Sequence, residues 1–241
     1  MATLADGSVD ALIMDPPYCS GSVSETARTA AGGQGLRSGT IARFGWFVGD
    51  NMGTAGLVWL LRAVAFEGLR AVKPSGSMLV FCDWRMLANL APAIESTGWR
   101  YQGLIVWDKG TMGLGNGFRC QHELIMHFTA GAPEYHDKGT PNVIVCPRVG
   151  ADERVHQTEK PIDLLARLVR VVAPRDGVVV DPFCGSGTTL AAALMEGRRA
   201  IGNDRAAAHV EAARARCANV IEGNPPAPVR MVQTALFGGA A

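Results

Sequence analysis

The chain has 241 residues, of which 48% are hydrophobic and 19% charged, and its formal net charge is +1. These values are typical of a globular protein and exclude a strong overall attraction to nucleic acid, so any such partner must meet a local basic surface. The six cysteines are scattered singly, which argues against a disulfide framework or a zinc ribbon. With no leader or membrane-spanning apolar run, the sequence predicts one cytoplasmic domain over residues 1–241, without a membrane partner.

Short β-branched runs alternate along the chain with segments whose apolar residues recur at helical spacing. This alternation predicts an α/β fold with a doubly wound, mostly parallel sheet. Strands are predicted at 9–14, 77–83, 104–108, 123–128, 177–181 and 198–204, helices at 55–72, 85–97, 161–173, 188–196 and 206–221, and a turn at 73–76.

Two long segments, 19–54 and 129–158, fit neither pattern because they are rich in Gly, Ser, Pro and scattered charges. Such segments are either plain surface loops or binding loops, and we expect them to contact DNA or its target base if the protein binds DNA. The last segment, 223–241, is predicted to be a loose tail.

The stretch "MDPPYCSG" follows the first predicted strand directly. Pro16 and Pro17 end the strand abruptly, and Asp15 is held extended because a proline follows it. The result is a rigid tip that carries a carboxylate, the Pro16 carbonyl and the Tyr18 ring. A plain strand-ending turn is the alternative interpretation.

A second glycine-bearing turn lies in "VVVDPFCGSGTTLAAALMEG", between a buried strand and a helix. No lysine follows Gly187, so it is no P-loop, and Leu190 stands where a dinucleotide fingerprint needs glycine. A strand that ends in Asp181 suits a ligand with a positive amine. Asp204, at the end of the next strand, is placed to accept hydrogen bonds from a ribose. These features point to S-adenosylmethionine, and glycines that only allow close packing are the alternative.

"DPPY" together with "DPFCGSGTT" resembles the amino-group DNA methyltransferases. The segments "HQTEKP" (156–161), "AIGND" (200–204) and "WDKGTMGLGNGFRCQHELIMHF" (107–128) also resemble segments of that family. Because the catalytic motif comes first, the order is similar to the family's permuted β group. The resemblance implies a class I, Rossmann-like methyltransferase fold that uses S-adenosylmethionine. Asp15 and Asp181 should then share one crevice, if strands 9–14 and 177–181 are neighbours.

The resemblance also implies roles for individual residues. Asp15 and the Pro16 carbonyl would bind the target amine, beside Pro17, while Tyr18 stacks on a base swung out of double-stranded DNA. Asp181 would face the cofactor's amine, and Lys160 with Thr158 its carboxylate; Lys160 as a solvated lysine is the alternative. The cofactor site implied by the resemblance is completed by Pro182, Phe183, Gly185, Gly187, Thr188 and Asp204.

Within the family, Asp at the first position of the motif favours adenine N6 as the target. Cytosine N4 is the main alternative, and a non-catalytic nucleic-acid-binding relative or an RNA methyltransferase is a more distant one. The resemblance to this family is compatible with a homodimer. "HELIMH" nearly matches a zinc motif but reads as a strand, so no metal site is predicted. Asp83, at a strand end, is expected either to line the crevice or to cap a helix.

Overall fold

The computed structural model describes residues 1–18, 53–113, 116–149 and 160–225. Seven strands and five helices are found in these ranges. They are β1 (Val9–Met14), α1 (Gly53–Ala71), β2 (Val72–Cys82), α2 (Leu87–Glu95), β3 (Arg100–Asp108), β4 (His122–Thr129), β5 (Val143–Val145), α3 (Ile162–Val172), β6 (Val178–Asp181), α4 (Thr188–Met195), β7 (Arg199–Gly202) and α5 (Ala207–Ile221).

The strands form one sheet in the order β5-β3-β4-β2-β1-β6-β7. β4 runs antiparallel to both of its neighbours, and the other pairs are parallel. The prediction of a mostly parallel sheet is therefore confirmed. The carboxyl ends of β1, β2, β3 and β6 and the start of β4 meet at one edge, which is where open α/β sheets bind ligands.

Apolar side chains cover both faces of the sheet, because the central strands are buried on both sides. On one face Leu12 and Val80 pack against Leu57 and Leu61 of α1 and against α2. On the other face lie Ile13, Phe81, Val179 and Ile125, which pack against α3 and α4. Since side chains alternate along a strand, Asp15 lies on the same side of β1 as Ile13 and faces the second layer.

The catalytic and cofactor motifs are brought together because β1 and β6 are neighbours, with Ala11 paired to Val179 and Leu12 to Val180. At the opposite end of these strands, the buried carboxylate of Asp10 accepts hydrogen bonds from Lys73 Nζ at 2.7 Å and from Val178 N at 2.8 Å. This carboxylate ties three central strands together far from the motif edge.

Three details differ from the sequence prediction. Residues 73–76 are no free-standing turn; they lie within β2, where the pairing moves from Val9–Val72 to Ala11–Ser77 and so accommodates three extra residues as an irregularity. β3 begins at Arg100 rather than at residue 104, because the polar residues of its first half still pair with β4. The short strand β5 lies inside the segment 129–158, which was expected to be irregular.

Several predictions fall wholly or partly outside the described residues. They concern most of 19–54, the last part of 129–158 with Thr158, and the tail beyond residue 225. Among the residues that the structure describes, none of the helices is long and apolar enough to cross a membrane.

Candidate active site

The tip Asp15–Tyr18 follows β1 directly and is held against three other segments at the motif edge. Lys160, which precedes α3, extends its side chain between the tip and the start of β4. Its Nζ lies 2.7 Å from Asp15 Oδ2 and 3.3 Å from a Glu123 carboxylate oxygen. The Tyr18 hydroxyl donates to Glu123 Oε2 at 2.8 Å. The tip is therefore fixed by a lysine and a second carboxylate.

Glu123, the second residue of β4, also binds Lys109, whose Nζ lies 2.6 Å from its Oε1. Asp15, Lys160, Glu123 and Lys109 thus form a row of alternating charges, which we call the charge row. Lys160 is 7% exposed. A lysine so deeply buried must be paired, and the predicted alternative of a solvated Lys160 is wrong.

Electrostatics explain why the charge row has this order. Burial alone would raise the pKa of Glu123, but Lys160 and then Lys109 hold it at about 2. Burial raises the pKa of Asp15, and the ammonium of Lys160 offsets part of that rise. Burial likewise raises the pKa of Tyr18 well above its usual value, with help from Asp15 and Glu123. Tyr18 is therefore neutral and Glu123 ionised at neutral pH.

One oxygen of Asp15 is left over. Oδ2 is engaged by Lys160, whereas Oδ1 is buried and has no hydrogen-bond partner among the described residues. A buried carboxylate oxygen without a donor is costly, by about 1–3 kcal/mol. Such an oxygen is the expected place for a hydrogen bond from a bound molecule.

The second motif begins at Asp181, the last residue of β6, which is 1% exposed. Burial raises the pKa of Asp181 to about 7, although the Thr189 hydroxyl and the Phe183 N–H act to lower it. The Phe183 N–H donates to Asp181 Oδ1 at 3.0 Å. No cation among the residues that the structure describes acts on this carboxylate, and a buried carboxylate in such surroundings fits a ligand that carries a positive amine.

The turn after Asp181 contains two glycines with different reasons for being glycine. Gly185 has φ +49°, and a Cβ there would meet open space, whereas Gly187 has φ +84° and its Cβ would lie 2.7 Å from Ala213 Cβ of α5. Gly187 is thus required by packing against α5. Gly185 leaves room on the open side of the turn, which fits a ligand that approaches the backbone.

Asp204 follows β7 and holds this turn in place. It accepts hydrogen bonds from Gly185 N at 3.0 Å, from Ala206 N at 2.9 Å and from His209 Nδ1 at 3.0 Å. Thr188, at the start of α4, accepts a hydrogen bond from Arg216 at 2.6 Å. Both residues therefore shape the turn; their predicted contacts with the cofactor stay predictions.

The two glycines allow a matched pair of variants. We expect Gly187→Ala to lower the free energy of unfolding by about 3 kcal/mol, because it adds both a left-handed strain and a clash with Ala213. Gly185→Ala should cost only about 1 kcal/mol of strain, but should weaken binding of S-adenosylmethionine. Chemical denaturation and calorimetry would measure both. Equal destabilisation by the two variants would contradict this division.

A cleft of about 430 Å³ opens beside Tyr18 and Glu123. Trp84, 53% exposed, and Phe118, fully exposed, are its apolar residues of largest exposure. Its polar lining is mostly cationic or neutral, from Arg85, Lys109, Asn116, Arg119 and His122, with Asp83 and Glu123 as the carboxylates. An aromatic and basic lining of this kind suits a flat ring attached to a phosphate backbone.

Two further sets of side chains near this edge bear on minor predictions. Asp83 lines the cleft and pairs with Arg85, but it does not cap α2, since its carboxylate accepts the N–H of Arg85 at 2.8 Å, before the helix begins. His122 and His127 lie five residues apart on the strand β4 and thus on opposite faces. In the part of the chain that the structure describes, no group of three metal-ligating side chains is found.

The comparison with protein families decides the class of this site. The model of the family described as DNA methylase, the N6/N4 amino-group methylases, matches residues 9–215, which include both motifs and the charge row. The chain belongs to this family. It is thus a DNA amino-methyltransferase, and S-adenosylmethionine, the predicted cofactor, is the methyl donor.

Two relatives that this chain resembles in sequence are also named as a methylase and a methyltransferase. A protein of Escherichia coli (strain K12) with the name "Putative methylase YubD" is 30% identical over 202 residues, which cover 84% of this chain and 78% of that protein. The type II methyltransferase M2.MboI of Moraxella bovis is 23% identical over 236 residues, 90% of this chain and 83% of that one.

Solved structures support the fold. The complex of M1.HpyAVI with S-adenosylmethionine has a TM-score of 0.62 at 20% identity and covers 88% of this chain and 89% of its own. The cytosine-N4-specific PvuII DNA methyltransferase has a TM-score of 0.67 at 16% identity, with 88% and 80% covered. The predicted class I methyltransferase fold is confirmed.

Proposed function

We propose that this DNA methylase transfers the methyl group to N6 of an adenine that has left the double helix. The observation that carries the proposal is Asp15 Oδ1, a buried carboxylate oxygen that has no donor among the described residues at the edge where both motifs meet. Asp in the first position of "DPPY" favours adenine over cytosine by the family resemblance.

The chemistry needs such an acceptor because the lone pair of an exocyclic amine is delocalised into the base. Hydrogen bonds from the amine to Asp15 Oδ1 and to the Pro16 carbonyl would hold the nitrogen with its lone pair directed at the methyl group. Pro17 follows Pro16 and keeps the tip rigid. Positioning and fixed charge then supply the catalysis, and no covalent intermediate with the protein is required.

The base itself would enter the cleft beside Tyr18. The cleft volume of about 430 Å³ lies in the range of small-molecule sites. Tyr18 is kept neutral and is anchored through its hydroxyl to Glu123, so its ring is available to stack on the base. The cations of the cleft complement the phosphates of the strand from which the base comes.

The cofactor would be held by the second motif. S-adenosylmethionine supplies an electrophilic methyl group when bound. Asp181 would face its amine, Gly185 would leave room for its approach, and Asp204 would bind its ribose. Pro182, Phe183, Gly187 and Thr188 belong to the same turn. Lys160 and Thr158 at the methionine carboxylate stay a prediction, and the ion pair of Lys160 with Asp15 points to another use of that lysine.

The experiment that tests the proposal is product analysis. Purified protein is incubated with methyl-deuterated S-adenosylmethionine and unmethylated DNA, and the DNA is digested to nucleosides for mass spectrometry. We expect deuterated N6-methyladenine. Deuterated N4-methylcytosine would refute the adenine assignment and favour the alternative that the PvuII likeness keeps open. The same label found only in added RNA would refute DNA as the substrate.

Two exposed aromatic residues give a prediction on DNA binding. Trp84→Ala and Phe118→Ala should each weaken DNA binding by about 5- to 100-fold, because stacking on a base contributes about 1–3 kcal/mol. Fluorescence anisotropy with labelled duplex would measure this, and cofactor affinity should stay unchanged. Trp59→Ala is the control, since Trp59 is 72% exposed on α1 and does not line the cleft. An equal loss in the control would contradict a role of the cleft.

A further inference from the structure

Lys160 is packed against the catalytic tip as a member of the charge row. Its ammonium lies between two carboxylates, 2.7 Å from Asp15 Oδ2 and 3.3 Å from Glu123 Oε2. It also lies over the rings of Tyr18, at 5.2 Å, and Phe81, at 5.1 Å. These contacts bury the lysine against the catalytic tip and fill its near surroundings.

We propose that Lys160 is a positioning residue that keeps Asp15 ionised and directs its free oxygen toward the target amine, and that Glu123 moderates this hold. The inference rests on the proposed function of Asp15 and deepens it. Lys160 binds one carboxylate oxygen, so the other oxygen is left for the substrate.

The geometry requires both partners of Lys160. The lysine precedes the N-terminus of α3, where the helix dipole disfavours a cation. Two carboxylates compensate for that field and for burial. Glu123 is itself divided between Lys160 and Lys109, which lies 2.6 Å from Oε1. The ammonium of Lys160 is thus shared between Asp15 and Glu123. Its effect on the pKa of Asp15 therefore depends on the charge at Glu123.

The pKa of Asp15 depends on the charged and titratable groups that face its carboxylate. Lys160 faces it from the residue before α3, Glu123 from β4 and Tyr18 from its own tip, while the carboxylate of Asp181 lies on the neighbouring strand β6. Removing the charge of Lys160 should raise the pKa of Asp15. Removing the charge of Glu123 should lower the pKa, because a like charge disappears while Lys160 stays.

The test measures the titration of Asp15 directly. Protein labelled with ¹³C at the aspartate carboxyl carbons is titrated by NMR, and the signal that vanishes in Asp15→Asn is assigned to Asp15. We expect Lys160→Met to move this titration up by about 1–3 pH units. Glu123→Gln, which keeps the shape and an acceptor for Tyr18, should move it down. These opposite shifts would not arise from general loosening of the site.

The matched control is Lys73→Met, which removes a similar Lys–Asp pair, 2.7 Å long, at the opposite end of β1. It should leave the titration of Asp15 unchanged. If Lys160→Met fails to fold, Lys160→Gln, which also removes the charge but keeps a polar side chain beside Asp15, takes its place and should move the titration up. The inference is overturned if neither variant moves the titration, or if both move it in the same direction.

Two further readouts separate this inference from its rivals. Calorimetry should show the affinity for S-adenosylmethionine kept in Lys160→Met, and a large loss of affinity with an unmoved titration would assign the lysine to the methionine carboxylate instead. The acidic limb of kcat against pH should shift with the NMR titration. If Asp15→Asn still methylates DNA, the proposed function fails, whereas the titration shifts still report on Lys160.

Discussion

Asp15→Asn is expected to lower kcat for methyl transfer on the order of 10³-fold, the effect of removing one preorganised group that stabilises a transition state. Asparagine keeps the size of the side chain but lacks the negative charge, so the target amine loses its acceptor in ionised form. Affinity for S-adenosylmethionine should change little, because Asp181 and its turn stay intact. Single-turnover transfer of labelled methyl groups to DNA would measure the first quantity, and calorimetry the second.

The control for this variant is Asp108→Asn at the end of β3. The Asp108 carboxylate accepts hydrogen bonds from Gly110 N at 2.8 Å and from Gln121 at 3.0 Å, and its removal should leave transfer near the wild-type rate. Wild-type transfer by Asp15→Asn would refute the role of Asp15. Loss of cofactor binding in Asp15→Asn would contradict the proposal that the first motif binds the target amine and the second motif binds the cofactor.

Asp181→Asn is expected to weaken S-adenosylmethionine binding by about 10- to 100-fold at pH 7.5, since a hydrogen bond to a charged group contributes about 1.5–3 kcal/mol. The isosteric change keeps the hydrogen bond from Phe183 N. Turnover at saturating cofactor should be affected less than affinity. Calorimetry gives the dissociation constant, and an unchanged affinity would refute the assignment of Asp181 to the amine.

The pH dependence of binding provides a second check on Asp181. Burial raises the pKa of Asp181 to about 7, so the free protein holds a proton there below that pH. A cationic amine binds the ionised carboxylate, so affinity should rise from pH 6 to pH 8 with release of a proton. Above about pH 8 the amine itself begins to lose its charge, and affinity should fall again. In Asp181→Asn the rise in affinity between pH 6 and pH 8 should disappear, because asparagine has no proton to release.

The same raised pKa has the opposite consequence for the free protein. The folded state binds a proton at Asp181 more tightly than the unfolded state, so the stability from this residue is greatest below about pH 4 and is lost as the pH rises to 7. Without cofactor, Asp181→Asn should therefore be more stable than the wild type at pH 8. Chemical denaturation at pH 6 and pH 8 would measure this: between these two pH values the free energy of unfolding should change less in Asp181→Asn than in the wild type.

The positions of most strands along the chain and the two motifs could be predicted because each depends on local signals. Pro16 and Pro17 end β1 unambiguously, and a buried apolar run that ends in Asp181 marks β6. The contact between β1 and β6 could not be derived in this way: the predicted shared crevice assumes it, and the pairing of the two strands in the structure shows it. The irregularity at 73–76 could not be predicted, since "KPSG" has the composition of a turn and only the pairing with β1 shows that it belongs to β2.

The charge row could not be derived from local pattern, because its four members come from four separate segments. Glu123 does give one signal, a carboxylate at the start of the mostly apolar strand "ELIMHF". Nothing local connects it with Lys160, which is 37 residues later in the sequence. Trp84 and Phe118 give no sequence signal of their role, because only the structure shows that they are exposed in connections beside the cleft.

The most direct test of the account is a crystal structure of the protein with a non-reactive analogue of S-adenosylmethionine and a duplex that contains the methylated site found by product mapping. The quantity to measure is the distance from the target amine nitrogen to Asp15 Oδ1. We predict an adenine outside the helix beside Tyr18, with N6 within about 3 Å of Oδ1 and Lys160 still paired with Oδ2. An adenine whose N6 is bound elsewhere, with Oδ1 occupied by a protein group, would contradict the central claim.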